Sequence, residues 1–161
     1  MFKKILIANR GEIACRVIRT ARRMGIRTVA VYSDADRHAM HVRLADEAVR
    51  IGPAPSAQSY LVIDAIIAAC KATGAEAVHP GYGFLSEKTA FASALEAIGV
   101  AFIGPKPRAI TAMGDKIESK KLAKAAGVST VPGYTDVIDG PEHAVKIARA
   151  MGYPVIVKAR A

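Results

Sequence analysis

Short apolar runs alternate with longer amphipathic runs along most of this chain, and a glycine closes almost every amphipathic run. Residues 4–8, 28–32, 47–51, 75–78 and 100–103 read as strands, while residues 13–24, 60–73 and 87–98 read as helices ended by Gly25, Gly74 and Gly99. Glycine at the position after a helix takes the left-handed conformation that ends it. Strand–helix alternation with connections of a few residues leads to a parallel sheet. The predicted fold class is therefore α/β, an open parallel sheet with helices on both faces. In such sheets ligands bind outside the carboxyl ends of the strands.

The bounds set by composition agree. The 161 residues are 52% apolar, enough for a sizeable core. No apolar run reaches the ~18 residues of a membrane span, and the apolar part of residues 1–8 is too short for a signal peptide. Cys15 and Cys70 both fall in helical patterns without ligand-like spacing, which argues for a reducing, cytoplasmic setting and against a disulfide or metal framework. The formal charge of +9 suits anionic partners: a nucleotide, a coenzyme A ester or nucleic acid. Aromatic residues make up only 6% and are not interleaved with the basic ones, which speaks against single-stranded nucleic acid.

The stretch His79-Pro80-Gly81-Tyr82-Gly83-Phe84-Leu85-Ser86-Glu87 lies between a predicted strand and a predicted helix. Gly81 and Gly83 let backbone approach a partner closely while Tyr82 projects. Ser86 is the expected helix N-cap, which puts the Glu87 carboxylate in the first turn. The alternative is a tight turn with a packed Tyr and Phe.

Asn9-Arg10-Gly11-Glu12 stands where a dinucleotide fold carries Gly-x-Gly-x-x-Gly, but it holds one glycine, so the pyrophosphate fingerprint is absent. Asp34 and Asp36, where a ribose-binding acid would sit, then read as turn formers and a cap for a short polar helix over residues 36–45. His38 and His41 have a spacing that could serve a metal, but the segment is polar and offers no further ligand pair. Both are expected at the surface, and no metal site is expected.

A boundary is placed between residues 105 and 115. A Lys-rich helix over residues 116–126 follows, then a helix over 141–151 and a strand over 155–158. Lys116, Lys120 and Lys124 share a face, with Lys121 beside it. Like charges there repel by about a few tenths of a kcal/mol per pair. Solvent or a phosphate relieves this, and Lys116 lies in the first turn, where backbone N–H groups favour anions. Lys158 ends an apolar run and must reach an edge or meet an anion, because an unpaired buried ammonium is costly. A final strand with nothing after it to cover it suggests that residues 116–161 begin a second domain continuing beyond this sequence.

These stretches together resemble the biotin carboxylase component of biotin-dependent carboxylases. The resemblance is carried by residues 4–14, Ala45-Asp46-Glu47-Ala48, Ile51-Gly52, Ser59-Tyr60-Leu61, all of His79 to Glu87, Phe102-Ile103-Gly104-Pro105, Met113-Gly114-Asp115-Lys116 and residues 152–159. Residues 119–134 look most like α subunits of propionyl-CoA carboxylases. The resemblance implies residues 1–114 as a Rossmann-like domain preceding an ATP-grasp domain, and residues 115–161 as that domain's incomplete start. It also implies an ATP-dependent ligase that activates bicarbonate and carboxylates biotin, within an acyl-CoA carboxylase acting on propionyl- or acetyl-CoA. Its cofactors would be ATP with Mg²⁺ and biotin. Its partners would be bicarbonate, a biotin carrier domain and a carboxyltransferase subunit, with homo-oligomers in the full-length enzyme, no nucleic acid and no membrane.

By the same resemblance, Lys116 and Lys158 bind the ATP phosphates, acting by positioning and charge neutralisation. Tyr82 and Gly83 line the biotin side of the cleft, supported by His79, Gly81 and Glu87. The arginine face of the first helix resembles the region where such subunits pair, and as physics it is equally a solvated face. The glycine-rich phosphate loop, the adenine segment, the Mg²⁺ carboxylates, the bicarbonate-binding arginines and the catalytic base are missing from these residues. The expectation is an amino-terminal fragment with no catalytic residue and no turnover by itself. Another ATP-grasp ligase, or a non-enzymatic subunit-interaction module, is the alternative.

Overall fold

The computed structural model describes residues 1–114, 116–131, 133–134 and 136–157. The chain divides into two compact units, Met1–Thr111 and Ala112–Ala161. Within the first, five parallel strands form one sheet: β1 (Lys4–Ile7), β2 (Arg27–Ser33), β3 (Glu47–Gly52), β4 (Ala77–His79) and β5 (Ala101–Phe102), in the order β3-β2-β1-β4-β5. The order reverses between β1 and β4, which makes their carboxyl ends the switch point of the sheet.

Alternation within the strands sorts the core into two layers, because successive side chains point to opposite faces. On one face Leu6, Ala8, Val29, Val31 and Val78 pack with Ile66, Ala69 and Cys70 of α3 (Ile63–Thr73) and with Phe91 and Leu95 of α4 (Thr89–Ala97). On the other, Ile5 and Ile7 meet Ala14, Ile18 and Ala21 of α1 (Gly11–Arg23), with Leu44 of α2 (Met40–Leu44) at the margin. Helices on both faces follow as expected. Arg16, Arg19, Arg22 and Arg23 remain exposed and, with Thr20, line an open groove on the outer side of α1.

Several local expectations are corrected. Ser86 does not cap α4. Its N–H donates to Gly83 O at 2.9 Å and the Lys88 N–H donates to Leu85 O at 3.1 Å, so the chain turns twice before the helix opens. Glu87 therefore precedes the helix, exposed, and lies outside its first turn. The polar helix is shorter than expected: a 3₁₀ turn covers Asp34–Asp36, and α2 begins only at Met40. Neither aspartate caps it.

His38 is exposed as expected, but His41 is fully buried. It is the inward residue of α2, and its Nε2 pairs with Val31 O of β2 at 3.3 Å. Burial pushes its pKa down, against the pull of that hydrogen bond.

α5 (Pro107–Gly114) runs across the division between the units. The second unit holds α6 (Lys116–Ala125) and α7 (Pro141–Met151). Gly127, at φ +69°, ends α6 with the Val128 N–H on Ala123 O at 2.9 Å. Lys121 pairs with Glu118 at 3.1 Å, which offsets part of the like-charge repulsion on that helix. Pro141 opens α7, where its missing N–H costs nothing. Residues 155–157 are not a strand: no neighbouring strand among the described residues pairs with them, and Ile156 and Val157 are exposed. A single run cannot satisfy a ladder alone.

Candidate functional site

Two loops meet at the switch point: Asn9-Arg10-Gly11-Glu12 after β1, and residues 79–87 after β4. Asn9, 3% exposed, joins them. Its Nδ2 donates to Pro80 O and to Tyr82 O, each at 2.8 Å, and its Oδ1 accepts the Arg10 N–H at 2.9 Å. The second loop is folded around that amide. Gly81 has φ +66°, and a Cβ built there would lie 2.7 Å from Asn9 Nδ2. Gly83 has φ +66° with open space around it, and Phe84 has φ +44°, a left-handed conformation that glycine adopts freely and phenylalanine rarely does.

Tyr82 carries the exposed ring of the loop, at 62% relative exposure. Its hydroxyl donates to the Glu12 carboxylate at the start of α1, and that carboxylate pushes the phenol pKa up. Phe84 turns the other way and stacks on buried Tyr60. The Arg10 guanidinium carbon lies 5.4 Å from the Tyr60 ring centre and 5.6 Å from that of Phe84. Arg10 also pairs with Asp36 at 3.4 Å.

Asp36 thus gathers Arg10, the Tyr60 hydroxyl at 2.7 Å and the Ser33 hydroxyl at 3.0 Å. Desolvation works to raise its pKa, but the hydrogen bonds and the Arg10 charge outweigh it and hold the carboxyl below its usual range. Burial, and then Asp36 itself, push Tyr60 up to about 12. Asp34 is tied outward, bidentate to Arg50 at 2.7 Å through both guanidinium contacts.

His79, Gly81, Tyr82 and Gly83 therefore lie together. His79 ends β4 half-buried, its Nδ1 accepts the Gly81 N–H at 3.0 Å, and burial lowers its pKa. Glu87 sits further along the loop, exposed. Lys116 opens α6, but its side chain and the whole of Lys158 lie outside the described residues. Among the described residues no group of three or more His, Cys, Asp or Glu could hold a metal ion, and no helix is long and apolar enough to cross a membrane. Sequence reasoning missed Asn9, Glu12, Arg10, Tyr60, Phe84 and Asp36 as parts of one arrangement. The available signal was an amide directly after a β-run, facing a Gly-x-Gly loop across the switch point. The arrangement holds a backbone segment and one ring in place.

Residues 1–110 match the family described as biotin carboxylase, N-terminal domain. The chain belongs to the biotin carboxylase family. Residues 115–161 match a second family, the ATP-binding domain of the carbamoyl-phosphate synthase L chain. The chain is 68% identical to the propionyl-CoA carboxylase alpha chain of Ruegeria pomeroyi over 161 residues, covering 100% of this chain and 24% of that one. Among solved structures it is similar to the Campylobacter jejuni biotin carboxylase in its β-γ-ATP complex, at 45% identity and a TM-score of 0.90, over 96% of this chain and 34% of that one. It is also similar to the Hydrogenobacter thermophilus 2-oxoglutarate carboxylase biotin carboxylase domain dimer with MgADP and bicarbonate, at 51% identity and a TM-score of 0.87, again over 96% and 34%. The chain spans about a quarter of the length of the curated relatives it matches and about a third of the solved chains.

Proposed function

We propose that this chain supplies the amino-terminal part of an ATP-dependent biotin carboxylase that transfers activated bicarbonate to biotin on a carrier domain, for a carboxyltransferase subunit acting on propionyl-CoA. The observation that carries the reading is the loop at the switch point, where an exposed Tyr82 between two left-handed glycines is held by an amide buried beneath it. A flat bicyclic ligand could lie against Tyr82 and the Gly83 backbone. Identity of 68% to a propionyl-CoA carboxylase alpha chain supports the choice of acyl group.

In this reading residues 1–114 form the domain before the ATP-grasp, and residues 115–161 begin the ATP-grasp domain. Lys116 and Lys158 would neutralise and position the ATP phosphates. Magnesium would accompany the nucleotide. The arginine face of α1 would contribute to pairing of like subunits; the Hydrogenobacter thermophilus relative is a dimer. The two free thiols suit a cytoplasmic setting.

The test is a chimera. Residues 1–161 replace the corresponding segment of the Ruegeria pomeroyi alpha chain, and biotin- and bicarbonate-dependent ADP release is measured. Retained activity, lost on Lys158→Ala, supports the assignment. A soluble, correctly assembled chimera without biotin-dependent turnover overturns it. The 161-residue chain alone is expected to show no such turnover.

A further inference from the structure

The turn Asn9-Arg10-Gly11-Glu12 stands where a dinucleotide fold would place its pyrophosphate loop, yet its side chains are all committed within the protein. Asn9 spends both amide protons on Pro80 O and Tyr82 O, and its oxygen on the Arg10 N–H. Arg10 lies over Tyr60 and Phe84 and pairs with Asp36. Glu12 accepts from the Tyr82 hydroxyl.

We propose that this turn is the positioning device of the biotin-side loop, in which Asn9 sets the loop backbone and Glu12 sets the Tyr82 ring. The identity of the ligand rests on the carboxylase reading above; the ordering of the loop rests on geometry alone. Neither Asn9 nor Glu12 needs to touch the ligand. Tyr82 is fixed at both ends by them, its carbonyl by Asn9 and its hydroxyl by Glu12, although its ring is largely exposed.

The loop needs such fixing. Gly81, Gly83 and Phe84 all have positive φ, and that of Phe84 is a conformation which persists only where surroundings enforce it. Asn9 enforces it from the Pro80–Tyr82 side, and the Tyr60–Arg10 pair from the Phe84 side. A loop held in its bound shape beforehand loses less freedom when the ligand arrives. Two carbonyls aimed at one side-chain atom also explain the residue type. Aspartate has the same shape as Asn9, but it would turn an acceptor toward two acceptors.

Two measurements on Asn9→Asp test this. In the 161-residue chain, amide hydrogen exchange of residues 81–86 is expected to rise roughly tenfold or more while strand amides stay within about twofold. Unchanged loop exchange, or a rise shared equally by the strands, overturns the proposal. In the chimera, KM for free biotin is expected to rise roughly tenfold, with KM for ATP within about twofold, since preorganisation acts on one ligand only. Equal loss on both substrates overturns it. Should Asn9→Asp fail to fold, the exposed pair Glu12→Gln and Tyr82→Phe carries the test. Their effects on biotin KM are expected to be non-additive, and strict additivity overturns the coupling. An inactive parent chimera refutes the carboxylase reading alone, and loop exchange then decides whether Asn9 positions the loop.

Discussion

Tyr60 and Phe84 lie face to face, with ring centres 5.1 Å apart and planes 8° from parallel. Tyr60 precedes α3 and Phe84 belongs to the loop after β4, so the stack ties two connections at one end of the sheet. It also buries the Tyr60 hydroxyl between the Ser33 N–H at 3.1 Å and Asp36. That hydroxyl accepts from one and donates to the other, so its oxygen joins the end of β2 to the acidic turn while the ring of the same side chain holds the loop that carries Tyr82.

Tyr60→Phe keeps the ring and removes the oxygen. The Ser33 N–H and the Asp36 carboxylate each lose a partner in a site with little access to water. The expected cost is about 1–3 kcal/mol, read as a lower urea midpoint at constant m-value. A midpoint unchanged from the parent would show that solvent replaces the hydroxyl.

Gly81 and Gly83 share a φ of +66° but not their surroundings. A Cβ on Gly83 meets open space, so Gly83→Ala costs only the left-handed strain, about 1 kcal/mol. A Cβ on Gly81 would meet the Asn9 amide, which is already pinned by three hydrogen bonds. Gly81→Ala is expected to lose at least about 1 kcal/mol more than Gly83→Ala in chemical denaturation, because it adds a clash to the strain. Equal losses would mean that Asn9 moves aside at no cost.

The sheet was legible because strand and helix periods differ and because Gly25, Gly74 and Gly99 mark helix ends. The switch-point loop was legible from Gly81, Tyr82 and Gly83. What escaped had no period. His41 sits among Arg37, His38 and Arg43, and a five-residue helix is too short for its one inward position to show as a pattern. Ser86 followed by an acidic residue imitates a cap, but the turns closed by Gly83 O and Leu85 O delay the helix until Thr89, beyond the reach of a cap at Ser86. Asn9 works through backbone carbonyls more than 70 residues away, which no local window can reveal.

Acid should destabilise the first unit in two steps. His41 and His79 both have pKa values lowered from 6.5 by burial, so the unfolded chain binds protons more readily there. Their contribution is complete above about 6.5 and is lost as pH falls toward their folded values. Arg10 opposes protonation of His41 and Asp36 favours it, with burial the larger influence. Asp36 and Asp46 have pKa values below 3.8, so a second loss begins near that value and deepens as pH falls further. Urea midpoints measured from pH 7.5 to 3 should show both declines. His41→Leu with His79→Asn should flatten the first and leave the second. A first decline of undiminished slope in that variant would assign it to other groups.

Cys15 and Cys70 are free and buried, and desolvation pushes the Cys70 thiol up to about 11. At pH 8 such a thiol is thiolate in only about one molecule in a thousand, and the thiolate is the reactive form. Cys70, at 1% exposure, packs with Ile66, Val78 and Leu95 in the larger core layer, whereas Cys15 is 6% exposed near the start of α1. Alkylation of Cys70 in the native chain therefore requires the sheet and α3 to part. Its rate should increase with urea along the slope of global unfolding, while Cys15 should label faster and with a shallower slope, as local fraying of a helix terminus allows. Labelling of Cys70 that is independent of urea would place its thiol in contact with solvent and break the packing described for α3.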